Sequence, residues 1–178
     1  VRKNLGSPIF FYQERPGENG KLFKMIKFRS MKNALDAQGN LLPDEQRITS
    51  FGQKLRATTL DEMPQLFNVL KGDMSIVGPR PQMPEFLEYY TTDQMRRHEV
   101  KPGMTGLAQV SGRNNLSWEE KFNLDVQYVE NHNILLDFKI MLKTVDVMLK
   151  REGINAPNQT VGSSRFTGSE SQSGSIVK

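Results

Sequence analysis

Cysteine is absent from the 178 residues. That excludes a disulfide framework and thiolate chemistry, and it is compatible with a cytoplasmic location. The two histidines, His98 and His132, are too few to favour a histidine-based metal site. No apolar run approaches the roughly 18–20 residues that a membrane-spanning helix needs, and no signal-peptide pattern is visible. There is one tryptophan, and no Lys/Arg block exceeds two residues, which argues against nucleic acid as a partner. What remains is a chain with 37% hydrophobic and 25% charged residues, the make-up of a soluble globular domain. Its length suits one domain. The net charge of +4 suits a phosphate-bearing ligand or an anionic membrane surface.

The most informative stretch runs from Arg56 to Pro81, RATTLDEMPQLFNVLKGDMSIVGPRP. Leu66, Phe67, Val69 and Leu70 have helical spacing, which gives that helix one apolar face. Pro64 lacks an N–H and is tolerated only in a first helical turn, so the helix is expected to begin between Leu60 and Met63. Gly72 supplies its stop. Asp61 and Glu62 then sit at the positive end of the helix dipole, which favours their ionised forms. Two readings are open on this segment alone. Thr59-Leu60-Asp61-Glu62 fits a capping box. The same carboxylates could instead serve as nucleophile or metal ligand. Arg56 lies close before the pair, and Pro79 and Pro81 stiffen the turn that presents Arg80. A fixed guanidinium is a natural phosphate partner. Carboxylates beside arginines point to metal-assisted chemistry on a phosphate ester.

Elsewhere the reading is coarser. Residues 8–28 form a hairpin, with Ile9–Tyr12 and Leu22–Phe28 flanking the turn-rich ERPGENGK. Lys27 and Arg29 share a strand face, either as solvated charge or as a basic wall. Residues 32–50 are a polar surface loop with room for a short helix. A helix is expected over 83–98, with Met83, Phe86, Leu87, Tyr90 and Met95 apolar. The segment KPGMTGLAQVSGRNN is too rich in Gly and Pro for one regular element, and its amides could approach an anion. Ser117-Trp118-Glu119-Glu120 is a capping box for a helix reaching about Asn131. Residues 134–151 form an amphipathic helix. Ile134, Phe138, Met141, Leu142, Val145, Met148 and Leu149 make its stripe, with Lys139, Lys143, Lys150 and Arg151 beside it. The default reading is a core-facing helix, and the alternative is one lying in a membrane interface. From Asn155 the composition predicts a disordered tail. The expected division is therefore a catalytic domain over 1–154 and a tail over 155–178.

Four motifs carry a resemblance: GSPIFFYQERPGENGKLFKMIKFRSM, LDEMPQLFNVLKGDMSIVGPRP, KPGMTGLAQVSGRN and LDVQYV. In this order and spacing the chain resembles the bacterial sugar transferase family, the monotopic phosphoglycosyl transferases, and is similar to its small PglC-like members. The resemblance covers about residues 6–151. It implies an α+β fold, with helices packed around the N-terminal hairpin and amphipathic helices at the membrane surface. It also implies transfer of a sugar-1-phosphate from a UDP-sugar to polyprenyl (undecaprenyl) phosphate, with UMP leaving. By resemblance Asp61 is the nucleophile and Glu62 helps hold Mg²⁺. Lys27, Arg56, Arg80 and Arg113 match basic positions and are the expected phosphate-binding residues. Pro79 and Pro81 would shape the nucleotide pocket.

The family works at the cytoplasmic face of the bacterial inner membrane, anchored by an N-terminal hydrophobic re-entrant helix. Val1 stands where that helix should end. The expectation is a trimmed or naturally longer chain, with these 178 residues soluble or weakly peripheral. The competing class is a non-catalytic basic module that binds a membrane or nucleic acid. A two-acid glycosidase fits poorly, because adjacent residues hardly reach the ~5 Å or wider carboxyl separation of that chemistry. The residues do not specify the sugar, the polyprenol length, the downstream pathway or the oligomeric state.

Overall fold

In the computed structural model, which describes residues 1–112, 116–150 and 166, a short helix α1 (Arg2–Leu5) leads into the expected hairpin. Strand β1 (Phe10–Pro16) extends past the predicted run and pairs antiparallel with β2 (Leu22–Phe28). Phe10 and Phe28 are register partners and stack at 5.7 Å between centroids. Two short helices follow, α2 (Asp44–Arg47) and α3 (Ser50–Ala57), within and after the predicted polar loop. The fold class is α+β, as expected.

Helix α4 (Gln65–Lys71) ends on Gly72 in the left-handed conformation, as its sequence requires. Its orientation is the reverse of a usual amphipathic helix. The buried residues are Gln65 and Asn68, while Leu66, Phe67 and Leu70 are 38, 53 and 83% exposed. Asn68 explains the inversion. Its side-chain amide donates to the Lys24 carbonyl at 2.9 Å, and its carbonyl oxygen accepts from Ile26 N–H at 3.0 Å. A polar side chain thus satisfies backbone groups of a two-stranded hairpin that has no third strand to do so.

A parallel pair, β3 (Ser75–Val77) and β4 (Gly103–Thr105), forms the centre of the rest. Gly103 and Gly106 of the 101–115 segment serve this contact. A Cβ on Gly103 or Gly106 would lie 2.1–2.2 Å from Gly78 backbone atoms. The close approach of these two glycines is to the backbone just after β3. The single helix expected over 83–98 is absent. It is replaced by a 3₁₀ turn (Pro84–Glu88), α5 (Thr92–Met95) and a second 3₁₀ turn (Arg96–His98). Thr91 breaks the run, because its side chain and Gln94 form a capping box that starts a new helix.

Helix α6 (Leu107–Ser111) and helix α7 (Trp118–Asn131) follow, the latter started by the predicted Ser117–Glu120 capping box. With α8 (Ile134–Lys150) they enclose a core of Val77, Val110, Tyr128 and Ile140. Of the α8 stripe, Met141 packs against that core and most of the rest does not face it. Ile140 and Val147 are its buried residues, whereas Ile134, Phe138, Leu142 and Leu149 are 60–79% exposed. The core-facing default therefore fails for most of the stripe, although α8 itself packs on the core through Ile140 and Met141. Among the described residues no helix is long and apolar enough to cross a membrane. The predicted tail lies outside the described residues except for Phe166, which is buried.

Candidate active site

Asp61 and Glu62 lie in a 3₁₀ turn (Leu60–Glu62) between α3 and α4, before the helix and not on it. The predicted capping box does not form. Thr59 makes no side-chain cap bond and sits at φ 56°, ψ 11°. A left-handed conformation costs a non-glycine residue about 1–2 kcal/mol. The kink it makes turns the two carboxylates into different surroundings.

Glu62 is clamped. Lys27 Nζ approaches its Oε1 at 2.9 Å, and Arg80 forks it with Nη2–Oε1 at 2.6 Å and Nη1–Oε2 at 3.2 Å. Burial opposes ionisation of Glu62, but the Arg80 and Lys27 charges outweigh it and hold the carboxyl well below its usual range. Burial in turn pulls Lys27 down, against the upward pull of Glu62. Arg80 moves up, chiefly through Glu62. Lys27 and Arg80, drawn from the hairpin and from the turn after β3, thus meet on one acid.

Asp61 is the opposite case. It is 9% exposed and has no ion pair within 4 Å among the described residues. Burial and the neighbouring Glu62 charge push its carboxyl up, only partly countered by Lys27 and Arg56. The helix-dipole expectation of a readily ionised Asp61 is corrected by this desolvation. Two adjacent acids thereby differ in kind, one an anchored counter-ion and the other a buried acid without a bound cation.

Arg56 reaches the site from α3, and its Nε donates to Ser30 Oγ at 2.9 Å. The close seat of α3 depends on Gly52, where a Cβ would fall 1.8 Å from the Ser30 carbonyl oxygen. Arg29, predicted to share a face with Lys27, instead donates to the Leu5 carbonyl. Arg113 lies outside the described residues.

Arg56, Thr59, Glu62 and Arg80 line a cavity of about 700 Å³, whereas Asp61 and Lys27 do not. Its lining also holds apolar side chains, among them Met63, Leu66, Ile76, Met104, Met141 and Val145. Pro79 and Pro81 are buried but do not line this cavity. They sit behind Arg80, around a void of about 10 Å³ shared with Pro16, Arg97 and His98.

Several residues of the cavity wall and its support escaped the sequence reading. Trp118, Lys121 and Asp125 also line the cavity. Lys121 Nζ lies 4.6 Å over the Trp118 ring. Asp125 accepts from Arg97 Nη2 at 2.6 Å and Nε at 3.1 Å, and Arg97 also donates to the Arg80 carbonyl at 2.7 Å and to Tyr90 Oη at 2.8 Å. This buried arginine fixes the turn that presents Arg80. Its pattern signal, a doublet Arg96-Arg97, looks like surface charge.

A family profile described as bacterial sugar transferase matches residues 1–151. The chain belongs to the bacterial sugar transferase family. An uncharacterized sugar transferase EpsL of Bacillus subtilis is 56% identical over 169 residues, covering 95% of this chain and 83% of that protein. An undecaprenyl-phosphate galactose phosphotransferase of Salmonella typhimurium is 43% identical, over 83% of this chain and 35% of its own length. A UDP-glucose:undecaprenyl-phosphate glucose-1-phosphate transferase of Xanthomonas campestris is 40% identical, over 81% of this chain and 32% of its own. The chain thus spans about a third of these two larger sugar transferases and most of the smaller one. Family membership favours an enzyme over the non-catalytic basic module.

In this candidate site, Arg80→Ala is expected to cut kcat/KM more than Arg80→Lys. Lysine loses the fork but keeps a charge on Glu62. Loss of charge-assisted hydrogen bonds worth about 1.5–3 kcal/mol corresponds to roughly 10- to 150-fold for the alanine variant. Near-neutral effects of both changes in steady-state assays would remove Arg80 from the site.

Proposed function

We propose that this chain transfers a sugar-1-phosphate from a UDP-sugar to polyprenyl phosphate and releases UMP, the first membrane step of a bacterial glycan assembly. The observation that carries this reading is the division of labour between Asp61 and Glu62, with Glu62 lining a cavity whose walls hold both arginines and apolar side chains and Asp61 next to it in the chain. An uncommitted carboxylate next to fixed cations suits attack on a phosphate. The apolar side chains of the cavity wall suit a prenyl chain.

In the proposed reaction an Asp61 carboxylate oxygen bonds to the β-phosphorus. The bridging oxygen between the α- and β-phosphorus leaves with its electron pair on UMP. A polyprenyl phosphate oxygen then attacks the same phosphorus, and the bond to Asp61 breaks to restore the carboxylate. Covalent catalysis divides one difficult displacement into two. Arg80, Lys27 and Arg56 offset the charge of the transferring group in a partly desolvated site.

Mg²⁺ is part of the proposal, and the residues fit a metal that arrives with the diphosphate. Glu62 Oε2 accepts one hydrogen bond among the described residues and has room for another partner. No group of three His, Asp or Glu side chains stands ready as a cage among them. Mg²⁺ commonly takes one or two carboxylates and completes its shell with phosphates and water. Glu62 would hold it, and the ion would neutralise phosphoryl charge.

The proposed location is the cytoplasmic leaflet of the inner membrane. Leu66 on α4 and Val145 and Met148 on α8 both line the cavity and are 38, 56 and 44% exposed, so its apolar wall runs out onto the surface. Burying such a face in lipid contributes several kcal/mol at about 25 cal/mol per Å². Exposed Lys139 and Lys143 each add up to about 1 kcal/mol near anionic lipid. Flotation with anionic liposomes is therefore expected at low salt and should weaken at high salt. The double variant Val145→Glu/Leu149→Glu should stay folded and stop floating. Unchanged flotation, or unfolding of the variant, would contradict the interfacial face.

The function itself is tested by UMP release from a panel of UDP-sugars, with and without polyprenyl phosphate and Mg²⁺. Free sugar as the product, or turnover with no dependence on the lipid phosphate, would exclude it.

A further inference from the structure

Phe166 lies beyond the residues that the family profile matches, in a stretch of serine, glycine and glutamine. Its side chain is 4% exposed and shares a buried cluster with Phe86 and Phe122, with Tyr90 and Trp118 packed against it. Ring centroids lie 5.0 Å from Phe122, 5.3 Å from Phe86 and 6.0 Å from Trp118. The contact with Phe122 is edge to face, the arrangement aromatic quadrupoles favour.

Trp118 belongs to two places at once. It stacks on Phe122 at 5.6 Å within the cluster, and it lines the 700 Å³ cavity. Lys121 lies over the Trp118 ring and lines the same cavity. A displaced Trp118 ring would carry the lysine's seat with it.

We propose that Phe166 is a positioning residue of the transferase site. It closes the back of the aromatic cluster, fixes the plane of Trp118, and through that ring holds Lys121 where a nucleoside diphosphate sugar binds. The substrate part rests on the function proposed above, whereas the hold on Trp118 does not. Phe166 touches none of the reacting groups, so its loss acts on binding and leaves the chemical step alone.

Trp118 is the single tryptophan, so its emission reports its surroundings directly. The test compares Phe166→Ala and Phe166→Leu with the parent in the full chain. The alanine variant leaves a void that the cluster cannot fill without moving. Its emission is expected to shift to longer wavelength, and KM for the UDP-sugar to rise about tenfold with kcat within about twofold. Phe166→Leu should restore most of both. Should the alanine variant unfold, Phe166→Leu and Phe166→Val read the same two quantities in graded steps. Unchanged emission and KM overturn the proposal, as does a lowered melting temperature with neither quantity moved. If the parent itself fails to turn over, the functional reading fails, and the emission still decides whether Phe166 holds Trp118.

Discussion

Asp61→Asn is expected to reduce turnover by at least about 10³-fold while leaving the melting temperature close to that of the parent. Asparagine has the shape of aspartate but is a poor nucleophile. Asp61 has no ion pair among the described residues, so its replacement breaks no clamp. The pH dependence follows from the same burial. Attack requires the ionised carboxylate, and burial together with Glu62 raises the pH at which Asp61 loses its proton. Activity should therefore fall as pH drops, and the fall should begin above the region near 4 where an ordinary aspartate titrates. Glu62 titrates in the other direction and stays ionised throughout that window. An acid limb unchanged in Glu62→Gln would contradict the charge coupling, since removing the neighbouring anion should move the limb to lower pH. Near-parental turnover in Asp61→Asn, with deamidation excluded by mass spectrometry, would remove the nucleophile.

Asp125→Ala is expected to produce the largest loss of stability, about 3–5 kcal/mol in urea unfolding. It strands the Arg97 guanidinium, whose side chain is 1% exposed, without its carboxylate. Taking one partner from a buried pair costs more than taking both, because the remaining charge stays desolvated. The double variant Arg97→Met/Asp125→Leu should therefore recover much of the stability. It should not recover substrate use, because the hydrogen bond from Arg97 to the Arg80 carbonyl is gone. A loss under about 0.5 kcal/mol in Asp125→Ala would make the pair a surface-like contact. Full activity in the double variant would show that Arg80 needs no anchor.

These residues also mark where the sequence was legible. Local signals read well. Gly72 ends α4, Ser117 starts α7, and the two β-rich runs around Gly17–Lys21 pair as a hairpin. Each of these is decided by residues within a few positions. Periodicity announced apolar faces on α4 and α8 but not which way they turn. That is settled by Asn68 meeting the hairpin backbone and by Thr144 Oγ1 meeting Thr105 Oγ1 at 2.7 Å, both long-range contacts. The helix expected over 83–98 failed because Thr91 and Gln94 satisfy backbone groups locally and restart the chain. Thr59 failed as a cap because the kink before the dyad puts it in the left-handed region.

For the candidate site the sequence offered residue types and said less about how they would be arranged. Asp61, Glu62, Lys27, Arg56 and Arg80 were identifiable by resemblance, and Glu62 does meet both Lys27 and Arg80. Which acid would be clamped and which left uncommitted depends on three elements converging, and no short motif encodes that. Arg97 and Asp125 lie 28 positions apart and carry no joint signal. Phe166 is a lone aromatic in a polar tail, where composition favoured disorder.

The most direct measurement is intact-protein and peptide mass spectrometry after mixing the chain with a UDP-sugar and Mg²⁺ in the absence of polyprenyl phosphate. The expected result is a gain of one phosphosugar on the peptide holding Asp61, an equal amount of UMP, and loss of the adduct when polyprenyl phosphate is added. UMP release that occurs only with the lipid phosphate present, with no adduct trapped on any peptide, would contradict the covalent role of Asp61.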